Sequence, residues 1–289
     1  MDLHINETLK EVCNAINSAE ATLREHIKLY YHNANEEHIT FLLYGHIKHR
    51  LREASHNKSI EKAFLKDLKS SLAYQPNIDW NLDRKLHQEA EGLIADVVLH
   101  NKRQEGKTGG DFGLIIVHPQ ITLEDEFLEI KKGVSSGLLC QAKLQDKDGK
   151  WGPLTKNQRA ILSNPDHLRF TSLALYSFLD GERTDLDSIA WKLCRGTSLP
   201  QIQALLKNGP VEKLATTRDI ITSLGRKEIG TEDQNLIETV ISPSVRQHLE
   251  IRIYWPKDKK DNGPKQSAKL RIRHKERERE TVCVKLYHT

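Results

Sequence analysis

Cysteine is scarce in this chain: Cys13, Cys140, Cys194 and Cys283 are scattered through 289 residues with no CxxC pair among them. That spacing argues against a disulfide framework or a structural zinc site, and it predicts reduced, mostly buried thiols. Long apolar runs are missing as well. The longest, residues 113–117 and 172–179, fall far short of the roughly 20 residues needed to span a bilayer. The opening residues Met1 to Glu7 offer neither a basic segment nor an apolar one, so no secretion signal is expected and a cytoplasmic location follows. A glycine-rich phosphate loop, a GxSxG elbow and an HExxH helix are all absent, which removes support for a sugar or nucleotide hydrolase. The chain is long enough to bury a full core without covalent or metal staples.

What is present is charge, unevenly spread. The net charge of +4 decides little by itself, yet residues 257–280 hold ten Lys or Arg against five Asp or Glu. That stretch is either a phosphate-facing surface or a solvated basic hairpin with Glu276, Glu278 and Glu280 as its internal partners.

Hydrophobic spacing orders the rest. Ile5, Leu9, Val12, Ile16, Ala19, Leu23 and Tyr30 recur at alternating steps of four and three, with His26 interrupting, and predict one long amphipathic helix whose stripe is covered either by later helices or by a second copy. A second helix is expected from about 36 to 52 behind an Asn35 N-cap, and a third from 60 to 73 before Pro76. The Val, Ile and Leu runs at 93–100, 112–118 and 137–144 read as strands, Thr155 opens a helix that Asn164-Pro165 breaks, and 170–179 supplies a further strand. Beyond 180 the pattern looks helical at first, with Ser198-Leu199-Pro200 opening one helix and Thr231 with Gln234 forming a capping box for another. It closes in alternating strands around Ile251, Leu270 and Val284.

The residues that carry chemistry are Gly109-Gly110-Asp111-Phe112-Gly113-Leu114 and Gln141-Ala142-Lys143. The first places a carboxylate at the mouth of a strand. Alternation along the second points Gln141 and Lys143 to one side of the sheet and Ala142 to the other. A hairpin would bring Asp111 beside them. The charged run from Glu124-Asp125-Glu126 to Lys132 is longer than a tight hairpin needs, so the strand pairing stays open. Together the Asp111 carboxylate, the Gln141 amide oxygen and the Ala142 backbone carbonyl form a hard-oxygen set suited to Mg²⁺ or Mn²⁺. Lys143 adds a compact cation for the charge that builds on phosphorus. Among nearby acids, Glu36 shares the inward face of Ile39 and Leu43, ahead of Glu37, with Glu89 and Glu91 as competitors. His46 and His49 are expected to be surface histidines, Trp151 a packing anchor, and Gln158 either helix surface or support for the site.

These motifs resemble the PD-(D/E)xK restriction-endonuclease-like nucleases, and within them the Mrr-like and phage-defence branches that carry Gln-x-Lys. The matching pieces span residues 36 to 179: Glu36-Glu37-His38-Ile39-Thr40, Gly109 to Leu114, Gln141 to Lys143, Trp151, Gln158 and Phe170 to Leu179. The resemblance implies an α/β fold whose core runs helix, three strands, helix, strand, a mixed sheet flanked by helices. The expected organisation is an N-terminal helix for packing or dimerisation (1–35), a nuclease domain (36–180) and an α+β C-terminal region (181–289). It also implies a DNA endonuclease, with RNA as the alternative substrate, acting in prokaryotic defence or restriction beside a helicase, ATPase or sensor partner. In that scheme Asp111, Gln141 and Glu36 hold the metal and Lys143 completes catalysis, while Gln158, Lys269, Arg271 and Arg273 contact nucleic acid. The competing expectation is a module that keeps the sheet, has lost the chemistry, and binds nucleic acid or a partner of a defence complex.

Overall fold

The computed structural model describes residues 5–31, 34–72, 107–108, 110–124, 127–179, 183–210 and 213–241, with short pieces at 90–91, 98–99, 250–252, 255–256, 267–271 and 286–287. For 119–134 and the short strand pieces, the backbone alone is described.

Helix α1 (Asn6–Tyr30) buries Leu9, Val12, Ile16, Ala19, Leu23 and Ile27. Tyr30, expected in that stripe, is 71% exposed, and Ile27 takes the inward place. The reason is helical drift: a straight helix turns once in 3.6 residues, so a strict seven-residue stripe rotates off the inner face by its last turn. α2 (Glu36–His56) and α3 (Ser59–Leu72) pack on α1, so the stripe is covered within the chain. Asn35 Oδ1 accepts the His38 N–H at 2.9 Å, the cap expected for α2. The start of α1 is capped from a distance instead. The Asp67 carboxylate of α3 accepts the Glu7 and Thr8 amides at 3.0 and 2.8 Å, satisfying donors that a helix cannot pair itself.

Two short strands, β1 (Ala90–Glu91) and β2 (Val98–Leu99), precede the hairpin β3 (Phe112–Glu124) and β4 (Phe127–Leu144). The hairpin pairs from Glu124↔Phe127 back to Phe112↔Cys140, with one register shift between Val117 and Pro119. Of the charged run that left the pairing open, Glu124 and residues 127–132 are paired at the far end of this long ribbon. Helices α4 (Lys156–Leu162) and α5 (Pro165–Leu168) lead into β5 (Thr171–Phe178), which lies parallel to β4. β6 (Leu186–Leu193) returns antiparallel to β5. α6 (Leu199–Asn208), β7 (Ala215–Thr216), α7 (Thr217–Gly225) and α8 (Gln234–Leu236) follow. β8 (Glu250–Arg252) is parallel to β3, β9 (Trp255–Pro256) pairs β1, and β10 (Ser267–Arg271) joins β4 to β11 (Leu286–Tyr287). The result is a mixed α/β fold around a mixed sheet flanked by helices.

Two expectations are corrected. Residues 186–193 form a strand where a helical region was expected. The register slips between Ser177 and Phe178, making Asp187 the extra residue of β6. That bulge sets Leu186 and Ile189, three apart, on one buried face, and the spacing imitates a helix. Thr231 does not cap a helix with Gln234. Its backbone is held in a two-way bridge with Gly137 (2.8 and 2.9 Å), and α8 starts later with Asp233 as its cap.

The two sheet faces differ. Phe112, Leu114, Ile116, Cys140, Ala142, Leu144, Tyr176 and Trp191 pack beneath α1, α2 and α7. On the other face Leu173 and Leu175 meet Trp151, Leu162 and the apolar side of α6, while Ile115, Val117 and Leu139 meet a π-helical turn, Ile237–Ile241. A Cβ on Gly113 would overlap the Ile241 carbonyl, so this motif glycine is where the turn sits on β3. Cys13, Cys140 and Cys194 are free and buried, as expected; Cys283 lies outside the described residues.

Candidate active site

β3 stops before β4 does, and the site occupies the strand edge that this leaves. The Asp111 amide donates to the Cys140 carbonyl at 2.8 Å, the last ladder bond of the hairpin. Beyond it, Ala142 and Leu144 present amides to the same side, because alternate residues of a strand share an edge. Both are taken by carboxylates: Ala142 N–H by Asp111 Oδ2 at 2.6 Å, and Leu144 N–H by Glu36 Oε1 at 2.9 Å. Two residues of strand rise separate these amides, about 7 Å, and the Ala142 carbonyl lies on the stretch of edge between them. Asp111 comes from the start of β3 and Glu36 from the first turn of α2.

Gln141 closes the group. Its Nε2 donates to Asp111 Oδ2 in a short hydrogen bond and approaches the Ala142 carbonyl at 3.4 Å. Its Oε1 is buried with no partner among the described residues, an arrangement that costs about 1–3 kcal/mol. The amide can be turned over. Its oxygen would then face the Asp111 carboxylate and the Ala142 carbonyl, an arrangement that a cation between them would stabilise. The residues thus fit a hard divalent ion: a carboxylate, an amide and a backbone carbonyl converge, and the Nε2 hydrogens stand where positive charge belongs. Among the described residues no group of three or more His, Cys, Asp or Glu side chains could hold a metal. The candidate set has one acid in contact and relies on neutral oxygens for the rest.

Lys143 extends from β4 on the Gln141 face, only 4% exposed. Beneath the strand, on the Ala142 face, Tyr176 is fully buried and its hydroxyl contacts Thr40 Oγ1 at 3.0 Å. Burial pushes the phenol well above its usual pKa, and the negative charges of Asp111 and Glu36 add to that rise. Both carboxylates therefore act on one buried phenol. Cys140 is raised in the same way, by burial first and then by Asp111. Sequence reasoning missed Tyr176 and Thr40. The available signal was that Thr40 lies four residues after Glu36, on the same face of α2.

Other candidates fall elsewhere. Glu37 is exposed, Glu91 pairs with Trp255 between β1 and β9, and Glu89 lies outside the described residues. Gln158 occupies the third position of α4, where its Oε1 accepts the Thr155 amide at 2.9 Å in a capping box. Trp151 is 7% exposed and packs with Leu154, Leu162 and Leu168. His49 is exposed, whereas His46 is half-buried against His26, with ring nitrogens 3.2 Å apart, so only one of the pair is a plain surface residue. Burial, followed by the neighbouring His26, lowers the His46 pKa. Lys269 and Arg271 lie on β10, where the backbone alone is described; Arg273 lies outside the described residues. Among the described residues no helix is long and apolar enough to cross a membrane.

Comparison with protein-family models, curated proteins and solved structures finds no match for this chain.

Proposed function

We propose that the chain is a metal-dependent endonuclease of the PD-(D/E)xK kind in its Gln-x-Lys branch, hydrolysing DNA phosphodiester bonds with Mg²⁺ or Mn²⁺ in prokaryotic antiviral defence or restriction. One observation carries this reading: Asp111, the Gln141 amide and the Ala142 carbonyl meet at a strand edge, and the other end of that amide, Oε1, is buried without a partner among the described residues. A divalent cation held there by Asp111, the Gln141 amide and the Ala142 carbonyl would supply Lewis-acid polarisation of the scissile phosphate and ease deprotonation of water. Asp111 is fixed in place by the Ala142 amide, so its carboxylate needs no reorganisation on binding. Lys143 lies on a nearly dry face, where a cation opposes charge developing on the phosphate far better than in open water. Glu36, seated on the Leu144 amide, adds a second negative group along the same edge. With one carboxylate in contact, Asp111, the Gln141 amide and the Ala142 carbonyl would hold the cation more firmly once the negative charge of a DNA phosphate is added to theirs.

The test is cleavage of supercoiled plasmid in Mg²⁺ or Mn²⁺ against EDTA, in the wild type and in Asp111→Ala. Metal-dependent nicking that disappears in the variant is expected. Binding of DNA without cleavage under any metal would leave the module that has lost its chemistry, and cleavage retained by Asp111→Ala would remove the assignment of the site.

A further inference from the structure

We propose that a cationic groove between α5 and α6 binds the phosphodiester backbone of the nucleic acid that the Asp111 site cuts. Two cavities, of about 740 and 570 Å³, share the wall formed by Arg195, Gly196 and Thr197. Arg169 lines the first and Lys192 the second, with Gln201 and Asn208 of α6 beside Lys192. No carboxylate lines either cavity among the described residues. Asp166, exposed, lies 3.8 Å from the Arg169 guanidinium, and the Arg195 guanidinium donates to the Glu228 backbone carbonyl at 3.2 Å. Three cations with a hydroxyl and two amides are the donor set that grips phosphate oxygens without reading bases. Each cavity is far larger than one phosphate group, and together they form a track that suits a polymer. Gly196 has φ +71° and open space where a Cβ would stand, so a backbone can approach closely there.

The groove is tied to the site by register. Gln141 pairs with Leu173, and Leu173 pairs with Lys192, so one row crosses three strands on a single sheet face. Two strand spacings put Lys192 about 10 Å from Gln141. Leu173, between them, is buried beneath Leu162 of α4 and Ile202, Leu205 and Leu206 of α6, so a nucleic-acid strand passing from the cut site to the groove runs over those helices and not along the row. What is cut rests on the nuclease reading, and what is bound rests on the groove alone.

The experiment is fluorescence anisotropy of a labelled DNA duplex across a salt series in EDTA, comparing the full-length wild type with the triple variant Arg169→Gln, Lys192→Gln, Arg195→Gln. Thermal melting monitors folding, and the cleavage assay runs in parallel. The log-log salt slope should fall by roughly 0.9 for each phosphate left without its cation. A folded triple variant with unchanged slope and affinity overturns the groove, even where the wild type cuts and Asp111→Ala does not. If the wild type binds with a groove-dependent slope and cuts nothing in Mn²⁺, the groove stands and the nuclease reading falls.

Discussion

Consecutive residues of β4 live in opposite worlds. Cys140, Ala142 and Leu144 belong to an apolar cluster sealed by α1 and α2, whose buried polar groups are paired, the Tyr176 phenol with Thr40 and the Trp191 indole with Thr217. Gln141 and Lys143, equally shielded at 1% and 4% exposure, bring an amide with an unpartnered oxygen and an ammonium group into the other face. The first face lowers the free energy of the fold by burying apolar area. The second raises it, since buried polar groups are costly unless matched. Under the proposed function, the sheet keeps these residues one position from a well-packed core for the chemistry of the site.

Emptying the apolar cluster and replacing the buried polar residues of β4 should therefore move stability in opposite directions. The largest loss is expected on the helical side: Leu23→Ala empties a fully buried position of α1 and should cost about 2–5 kcal/mol in a urea titration. A smaller loss would mean that α1 packs loosely and that the two faces differ less than their burial implies.

The next effect depends on pH. His118, hydrogen-bonded to Ser136 at 3.2 Å beside the bulge of the hairpin, has its pKa lowered to about 4, by burial first and then by Lys227. The unfolded chain titrates this group near 6.5, so between those values the unfolded state binds more protons. The contribution is fully present above about 6.5 and is lost as pH falls toward 4, on the order of 3 kcal/mol. His118→Gln should flatten this part of the pH dependence of the urea midpoint; an unchanged profile would place the titration elsewhere.

Gly113→Ala should follow, at about 1–3 kcal/mol, as its new methyl displaces the turn at Ile241 from β3. Equal stability of the variant would show that the turn yields freely. The smallest change has the opposite sign. Lys143→Met replaces a buried cation with a side chain of similar length and should leave stability unchanged or raise it by about 1 kcal/mol. Destabilisation would identify Lys143 as a structural residue.

How much of this was readable beforehand depended on the range of the interaction. The Asp111, Gln141 and Ala142 group was visible because it needs only strand alternation and one hairpin, although its register hid behind the charged run. That Glu36 faces inward could be read from its own helix, but its target, the Leu144 amide 108 residues away in sequence, could not. β6 was obscured by its own bulge at Asp187, which lends Leu186 and Ile189 a helical spacing. α1 was clear in extent, while drift of the 3.6 period moved its last inward position from Tyr30 to Ile27. The groove of Arg169, Lys192 and Arg195 left no local pattern, since its cations come from a loop, a strand and a turn that only the fold gathers.

The most direct measurement pairs Mn²⁺ calorimetry in the presence of uncleavable DNA with single-turnover cleavage, for the wild type, Asp111→Ala and Lys143→Ala. Asp111→Ala should lose both metal and cutting. Lys143→Ala should keep metal and DNA affinity near wild type while the chemical step slows by about 3–4 kcal/mol, two to three orders of magnitude. Undiminished cleavage by Lys143→Ala, or Mn²⁺ binding that survives in Asp111→Ala, would contradict the assignment of this strand edge as the catalytic centre.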